Sequence, residues 1–230
     1  MKKIVFVEHH DNPRDDRATS FVRELGFEID LVMPVNDEPL PEVDDDTAGV
    51  VVCGGAMNVT EMEQLPYLRT EAQWIEQCIK TDIPMFGICL GSQLLAHVLG
   101  AKIGYHPDKV CEFGYYQIDP TDAGSEWFPK PMLGTQAHFQ TFELPDGATL
   151  LATGETFENQ AFQYGQNIFG VQFHPEIDEN CFRRWQNAEW AFYGSPGAQS
   201  REEQDQLMAV AEPYQGQWFR QFLETFFVRQ

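Results

Sequence analysis

One cysteine stands in a sequence setting that is typical of an enzyme nucleophile. Cys89 lies between Gly87 and Gly91, directly after an apolar run that ends at Phe86. This spacing predicts a tight turn from a strand into a helix, which holds a reactive side chain clear of the backbone. Glycines are expected on both sides because strand and helix approach too closely there for a Cβ atom. The turn also places Cys89 at a helix N-terminus, where the helix dipole and free N–H groups favour a thiolate.

A base for this nucleophile is expected from a later segment, Phe173-His174-Pro175-Glu176. Pro175 disfavours helical geometry at the residue before it, so the segment is predicted to be extended. Side chains two positions apart in an extended stretch leave the same face, which would bring His174 and Glu176 together. A carboxylate so placed can orient the imidazole. The sequence therefore predicts a relay of Cys89, His174 and Glu176 in which the histidine moves the thiol proton.

The elements that must carry these residues alternate between apolar runs and helical patterns, which is typical of a parallel α/β sheet. The first strands are expected at 4–7, 27–32, 49–53 and 84–88, and the helices between them at 17–25, 68–80 and 90–99. Shorter alternating strands are then predicted at 113–118, 148–152, 160–163 and 168–173. The tail after residue 178 is predicted to be helical, broken at 194–197, with its aromatic side chains in the core.

The fold class expected from this order is α/β: an open, mostly parallel sheet flanked by helices, with an antiparallel extension. A chain of 230 residues is long enough to bury one sizeable core. We therefore expect a single domain over residues 1–230. It would consist of a core that carries the relay, residues 1–177, and a helical C-terminal extension, residues 178–230.

Composition and charge exclude several classes of partner. The net charge of −21 repels phosphate groups, so neither nucleic acid nor an anionic membrane is expected to bind. No run approaches the ~20 apolar residues that span a bilayer, and the N-terminal apolar stretch is too short for a secretory signal. Five cysteines, an odd number, favour a reducing cytoplasm over a disulfide framework. No cysteine or histidine spacing matches a zinc site, so no metal is expected.

Four segments together resemble the class I (triad-type) glutamine amidotransferases, in particular stand-alone proteins similar to the amidotransferase half of GMP synthase. The resemblance covers most of residues 1–177, and its segments are Val50-Val51-Val52-Cys53-Gly54-Gly55, Gly87-Ile88-Cys89-Leu90-Gly91-Ser92-Gln93, Asn159-Gln160-Ala161-Phe162 and Gly170-Val171-Gln172-Phe173-His174-Pro175-Glu176. It implies hydrolysis of the side-chain amide of glutamine without a cofactor. Cys89 would form a γ-glutamyl thioester, and His174 would return the proton to the leaving ammonia.

Donors for the developing oxyanion are expected beside the nucleophile. The amide of Leu90, the first residue of the helix, is the candidate from the turn itself, and the family pattern adds the amide of Gly55. Gln93 lies one helical turn beyond Cys89 on the same face. It resembles the substrate-contacting glutamine of the family.

A second substrate-binding segment departs from the family pattern. His138, Phe139 and Gln140 resemble the stretch that helps to hold the amino-acid end of glutamine. Phe139 stands where the family has a glycine, and Gln140 where it has an aspartate. Added bulk and a lost charge predict that free glutamine binds weakly.

Other functions remain open from the sequence. A γ-glutamyl peptidase or hydrolase would use the same relay on a larger γ-glutamyl compound, which the altered segment encourages. A non-catalytic regulatory subunit or a redox-sensing protein would not require an intact relay. No phosphate-binding loop of an ATP-dependent synthetase occurs, so ammonia used in a synthesis would pass to a separate synthetase.

Outside the relay, His9, His10 and His106 are expected to face solvent, and His97 to be structural.

Overall fold

The computed structural model describes residues 2–228, and eleven strands and five α-helices are found in that range. The strands are β1 (Lys3–Val7), β2 (Glu28–Val32), β3 (Thr47–Val52), β4 (Met85–Ile88), β5 (Ile103–Tyr105), β6 (Glu112–Pro120), β7 (Met132–His138), β8 (Gln140–Phe142), β9 (Thr149–Thr153), β10 (Asn159–Tyr164) and β11 (Ile168–Val171). The helices are α1 (Arg17–Glu24), α2 (Pro66–Lys80), α3 (Leu90–Val98), α4 (Glu179–Gln186) and α5 (Arg201–Val228).

Nine of these strands form one open sheet in the order β2-β1-β3-β4-β11-β10-β9-β6-β7, while β5 and β8 pair separately. The first five strands in this order, β2, β1, β3, β4 and β11, run parallel to one another. From β11 onward, each strand pairs antiparallel with the next: β10, β9, β6 and β7. The predicted fold class, an α/β sheet with an antiparallel extension, is confirmed. Since β1, β3, β4 and β11 are parallel, the loops that follow them meet at one edge of the sheet, where such folds bind ligands.

Three strands were not expected from the sequence: β5, β7 and β8. In β7, Thr135 and Gln136 are buried polar residues. The sequence of β7 therefore lacks the alternation of apolar and polar side chains by which a strand is recognised. Most polar atoms of these two residues find partners at long range, whereas Oε1 of Gln136 has none among residues 2–228. Gln215 accepts a hydrogen bond from the backbone of Thr135, and Gln136 donates to Gln160. Only the folded chain supplies these partners, so the local pattern resembles a loop.

Helices cover both faces of the parallel half of the sheet. On one face α2 and α3 pack against β1, β3 and β4, and on the other α1 and α5 do so. Phe86 of β4 contacts Phe222 of α5 with ring centroids 4.7 Å apart, and Phe219 with centroids 5.9 Å apart. Truncating a buried phenylalanine of this kind costs about 3–5 kcal/mol. The strand that delivers Cys89 is therefore held by its pairing with β3 and β11 and by packing against the aromatic face of α5.

The tail is helical and broken near 194–197 as expected, since α4 and α5 flank that segment. The prediction that its aromatic residues all lie in the core is correct for α5 but wrong for the connection before it. Trp190 is 48% exposed. Phe192 is only half-buried and lies between Phe113 of β6 and Phe139, with ring centroids 5.4 and 4.5 Å away.

Candidate active site

Cys89 occupies a strained turn between β4 and α3. Its backbone has φ 50° and ψ −106°, a conformation that L-residues rarely adopt. A Cβ atom on Gly87 would lie 2.7 Å from the backbone of Gly91, and one on Gly91 only 2.0 Å from the carbonyl oxygen of Val52. The two glycines thus permit the close approach of strand and helix. The turn has the form expected from the sequence, with Cys89 as the N-cap of α3 and Leu90 as its first residue.

His174 and Glu176 meet beside this turn. Nδ1 of His174 lies 2.7 Å from Oε1 of Glu176, and both the imidazole and the side chain of Cys89 border the backbone of Gly54. The expectation of an extended segment here is wrong. The strand β11 ends at Val171, and the backbone N–H of Ile177 donates to the carbonyl of His174, which closes a turn. Proline suits the second position of such a turn, and the turn, rather than a shared strand face, brings the two side chains together.

The charges around His174 favour its imidazolium form. Burial alone would lower the pKa of His174, but the negative charges of Glu176 and Cys89 outweigh burial and raise it to about 10. Trp185 of α4 packs edge-on against the imidazole, with ring centroids 4.9 Å apart, and helps to exclude water. Burial raises the pKa of four other cysteines and so favours their thiol form: Cys53, Cys78, Cys111 and Cys181.

The loop after β3 closes the other side of the nucleophile. A Cβ atom on Gly54 would lie 2.6 Å from Cε1 of His174 and 3.7 Å from Cβ of Cys89. One on Gly55 would lie 2.8 Å from Cδ2 of Leu90. The double glycine therefore allows the backbone itself to approach both the relay and the start of α3. This is the arrangement in which backbone N–H groups can face a reacting carbonyl.

All the substrate-binding residues that the sequence predicts line one cleft with Cys89. The cleft has a volume of about 70 Å³, and its walls include Gly55, Leu90, Gln93, His138, Phe139 and Gln140. Ala56, Met57, Asn58, Ala137 and Phe192 complete the walls. Residues from four separate parts of the chain thus converge on the sulfur.

Some polar atoms around the cleft already have hydrogen-bond partners within the protein, and others do not. Nε2 of Gln93 donates to the carbonyl of Gln140 at 2.9 Å. The ring nitrogens of His138 lie 2.9 Å from that carbonyl and 3.1 Å from Oε2 of Glu112, so His138 supports the chain rather than offering a free donor. Gln140 is 2% exposed, and its Nε2 donates to Thr60. Its Oε1 finds no donor among residues 2–228. Gln140 therefore presents a buried, unpaired acceptor next to the cleft.

Two further neighbours of the relay were not expected from the sequence. Nε2 of Gln172 lies 3.6 Å from Sγ of Cys89, and its Oε1 accepts from Gln93 at 3.2 Å. Trp185 was expected only in the core. The position of Gln172 directly after β11 could have indicated that it is a neighbour of the relay. Nothing in the local sequence of Trp185 connects it with His174.

The outcome for the other histidines is mixed. The prediction that His9 faces solvent is wrong, because His9 is 1% exposed and lies between the loop after β3 and α2. His10 is exposed as expected, and His106 is half-buried. His97 was expected to be structural, but its side chain is exposed. Within residues 2–228, no three His, Cys, Asp or Glu side chains come together in a way that could hold a metal ion. None of the helices in the described part of the chain combines the length and apolar character of a membrane span.

Comparison with known proteins defines the class. The sequence profile of the family Glutamine amidotransferase class-I matches residues 18–184. The chain is 32% identical over 183 residues to the glutamine amidotransferase-like protein YfeJ of Salmonella typhimurium, covering 76% of each chain. It is 30% identical over 186 residues to one of the subunits of the glutamine-hydrolyzing GMP synthase of Thermoplasma volcanium, covering 78% of this chain and 86% of that one.

A solved structure agrees with these relatives. A glutamine amidotransferase from Thermotoga maritima superposes with a TM-score of 0.82 at 30% identity, over 99% of this chain and 98% of that chain. The chain therefore belongs to the class I glutamine amidotransferase family. It resembles, within that family, stand-alone proteins similar to the amidotransferase component of GMP synthase.

Proposed function

We propose that the protein is a cysteine-dependent amidohydrolase that releases ammonia from glutamine through a γ-glutamyl thioester on Cys89. The observation that carries the proposal is that Cys89 lines the cleft formed by the family-like residues, while His174, paired with Glu176, lies beside Cys89 across Gly54. The nucleophile stands at a helix N-terminus, and its partner histidine is held by a carboxylate. Both are ways in which enzymes activate a cysteine for covalent acyl transfer.

In the proposed reaction, the sulfur of Cys89 attacks the side-chain carbonyl of glutamine. The imidazolium of His174 gives its Nε2 proton to the departing nitrogen, so that ammonia leaves and the thioester remains. A water molecule, deprotonated by the now neutral His174, then attacks the thioester and releases glutamate. Glu176 bonds Nδ1 throughout and stabilises the imidazolium. The N–H groups of Leu90 and Gly55 would bind the oxyanion in both steps.

The amino-acid end of the substrate is proposed to bind at Gln140. Its unpaired Oε1 can accept a hydrogen bond from the α-ammonium group of glutamine, which would relieve the cost of burying that acceptor alone. A neutral acceptor bonds an ammonium group more weakly than a carboxylate does. Binding of free glutamine should therefore be weaker than at a site with aspartate in this position.

A separate ammonia-accepting synthetase is the proposed partner. The relative from Thermoplasma volcanium is one subunit of a GMP synthase, a name that implies other subunits in that enzyme. By analogy, the ammonia made at Cys89 would pass to an acceptor protein. Contact with such a partner could also complete the substrate site.

A second candidate function is hydrolysis of a larger γ-glutamyl compound. The observation that favours it is the aromatic pair of Phe139 and Phe192, which forms one wall of the cleft. Such a wall offers apolar contact to a substituent on the glutamyl group. A free ammonia leaving group would make no use of it.

The two candidates are separated by one assay. Purified protein is given glutamine and, in parallel, γ-glutamyl peptides with apolar second residues, and release of ammonia and glutamate is measured. Cys89→Ala should abolish turnover, while Cys78→Ala, a matched control in α2, should retain it. Higher kcat/KM for glutamine supports the amidotransferase, and higher kcat/KM for the peptides supports the hydrolase. No turnover, together with an unreactive Cys89, would contradict both and favour a regulatory subunit.

A further inference from the structure

A buried pair outside the relay is attached to the double-glycine loop. His9 follows β1 and is 1% exposed, and Glu71 of α2 is 0% exposed. Nε2 of His9 lies 3.1 Å from each carboxylate oxygen of Glu71, and Nδ1 lies 3.2 Å from the carbonyl oxygen of Gly54. Both of these groups are acceptors, so the ring satisfies them together only when each nitrogen carries a proton. Burial opposes that charge, but the carboxylate of Glu71, the bond to the Gly54 carbonyl and the charge of Glu8 together raise the pKa of His9.

The carbonyl of Gly54 shares a peptide unit with the N–H of Gly55. The peptide is planar, and residues 2–228 contain no cis peptide bond, so the C=O and N–H of this unit point in opposite directions. A hydrogen bond that fixes the direction of the carbonyl therefore fixes the direction of the N–H as well. A peptide between two glycines has no side chain to restrict its rotation. Its orientation must come from its neighbours.

The ring of His9 is also packed against this peptide. A Cβ atom on Gly55 would lie 2.8 Å from Cβ of His9 and 3.1 Å from its Cγ. Contact on one side and a hydrogen bond at the carbonyl leave the peptide one orientation. Donation to the carbonyl also polarises the peptide, which makes its N–H a better donor.

We infer that His9, oriented by Glu71, is a positioning residue that locks the Gly54–Gly55 peptide with the N–H of Gly55 directed to the oxyanion. The kinetic consequence of this lock rests on the proposed function. Loss of one oxyanion donor lowers kcat by about 10²–10³-fold in enzymes of this kind. A misoriented donor should cost less, so we expect His9→Ala to lower kcat by about 10–100-fold with little change in KM.

The experiment compares four variants with wild type. His9→Ala removes the bond to Gly54, and His9→Asn restores a short N–H donor in its place and should recover most of kcat. Glu71→Gln keeps a hydrogen-bonding partner without the charge and should fall between them. His97→Asn, an exposed histidine on α3, is the control and should match wild type. Alkylation of Cys89 by iodoacetamide requires no oxyanion donor, so its rate should be unchanged in every variant.

The possible outcomes test the positioning role of His9 separately from the proposed reaction. Wild-type kcat in folded His9→Ala, or a parallel fall of kcat and alkylation rate in the His9 variants, would overturn the inference. Should wild type hydrolyse no γ-glutamyl compound, the proposed function fails instead. Crystal structures would then test the positioning role of His9 without any activity. The 54–55 peptide should turn or take two orientations in His9→Ala, and an unchanged orientation would refute that role. If His9→Ala does not fold, Glu71→Gln is compared with His9→Asn: a lower kcat in Glu71→Gln is expected, and wild-type kcat in Glu71→Gln would overturn the inference.

Discussion

Replacing Glu176 by glutamine should separate orientation of the imidazole from proton transfer by it. Glutamine keeps the volume and a hydrogen bond to Nδ1 but removes the charge that lies 2.7 Å away. The pKa of His174 is raised from 6.5 to about 10, and one pKa unit corresponds to 1.36 kcal/mol. Net of the burial that opposes it, this shift favours the imidazolium by roughly 5 kcal/mol. Loss of the Glu176 charge removes part of this stabilisation, and a loss of about 2–3 kcal/mol would lower kcat/KM roughly 30- to 150-fold.

The same substitution should change the pH dependence. The imidazolium is present at low pH and is lost as the pH rises through the pKa of His174, about 10 in the wild type. Without the carboxylate that pKa falls, so the alkaline limb of kcat/KM should move to lower pH in Glu176→Gln. His174→Ala has no group to move the proton, and its activity should fall to background.

The assay is initial ammonia release from glutamine across the neutral and alkaline range. Glu179→Gln removes an exposed carboxylate at the start of α4 and is the matched control, with an expected wild-type profile. An unchanged alkaline limb in Glu176→Gln would refute the electrostatic argument. Activity as low as that of His174→Ala would show that the carboxylate does more than orient and stabilise.

Three further predictions concern the nucleophile, the cleft and the turn. A diazo-ketone analogue of glutamine should label Cys89 alone, because burial raises the pKa of every other thiol; peptide mass spectrometry showing the adduct elsewhere would contradict this. Phe139→Gly combined with Gln140→Asp should lower KM for glutamine and leave the single-turnover acylation rate intact. Wild type that saturates at micromolar glutamine, or a double variant that binds it no better, would show that these departures are neutral. Gly91→Ala should destabilise by about 3 kcal/mol or more in urea unfolding, because its Cβ would lie 2.0 Å from a β3 carbonyl oxygen; Gly104→Ala, with open space around it, is the control.

The nucleophile turn could be predicted because its constraint is local. Strand and helix cross within a few residues of Cys89, so the glycines that permit the crossing are adjacent in sequence. The partnership of His9 with Glu71 is different, since 62 positions separate the two residues. Nothing in the sequence around either residue indicates the other. A histidine after a short strand resembles a solvent-facing loop residue until the fold buries it.

Buried polar residues account for much of what the sequence did not reveal. Thr135 and Gln136 lie in β7, where their side chains find partners that belong to distant elements. Gln140 was expected at the substrate site from its resemblance to a family segment. The direction of its unpaired acceptor, however, depends on Thr60, which accepts the hydrogen bond from the amide nitrogen of Gln140. The pattern of apolar residues in the sequence indicates which faces of the helices and strands are buried. Hydrogen bonds between polar residues that are distant in sequence become visible only in the folded structure.

The packing of α5 on β4 has a consequence for biosynthesis. Phe86 precedes Cys89 by three positions, yet the rings that cover it come from Phe219 and Phe222, more than a hundred residues later in synthesis. While the ribosome is still making α5, the sheet has an uncovered aromatic face, and the strand behind the nucleophile lacks its support. A nascent chain stalled before residue 201 should consequently release no ammonia and should be a ready client for a chaperone that binds exposed aromatic surface. On the proposed function, ammonia release would therefore begin only after α5 has docked.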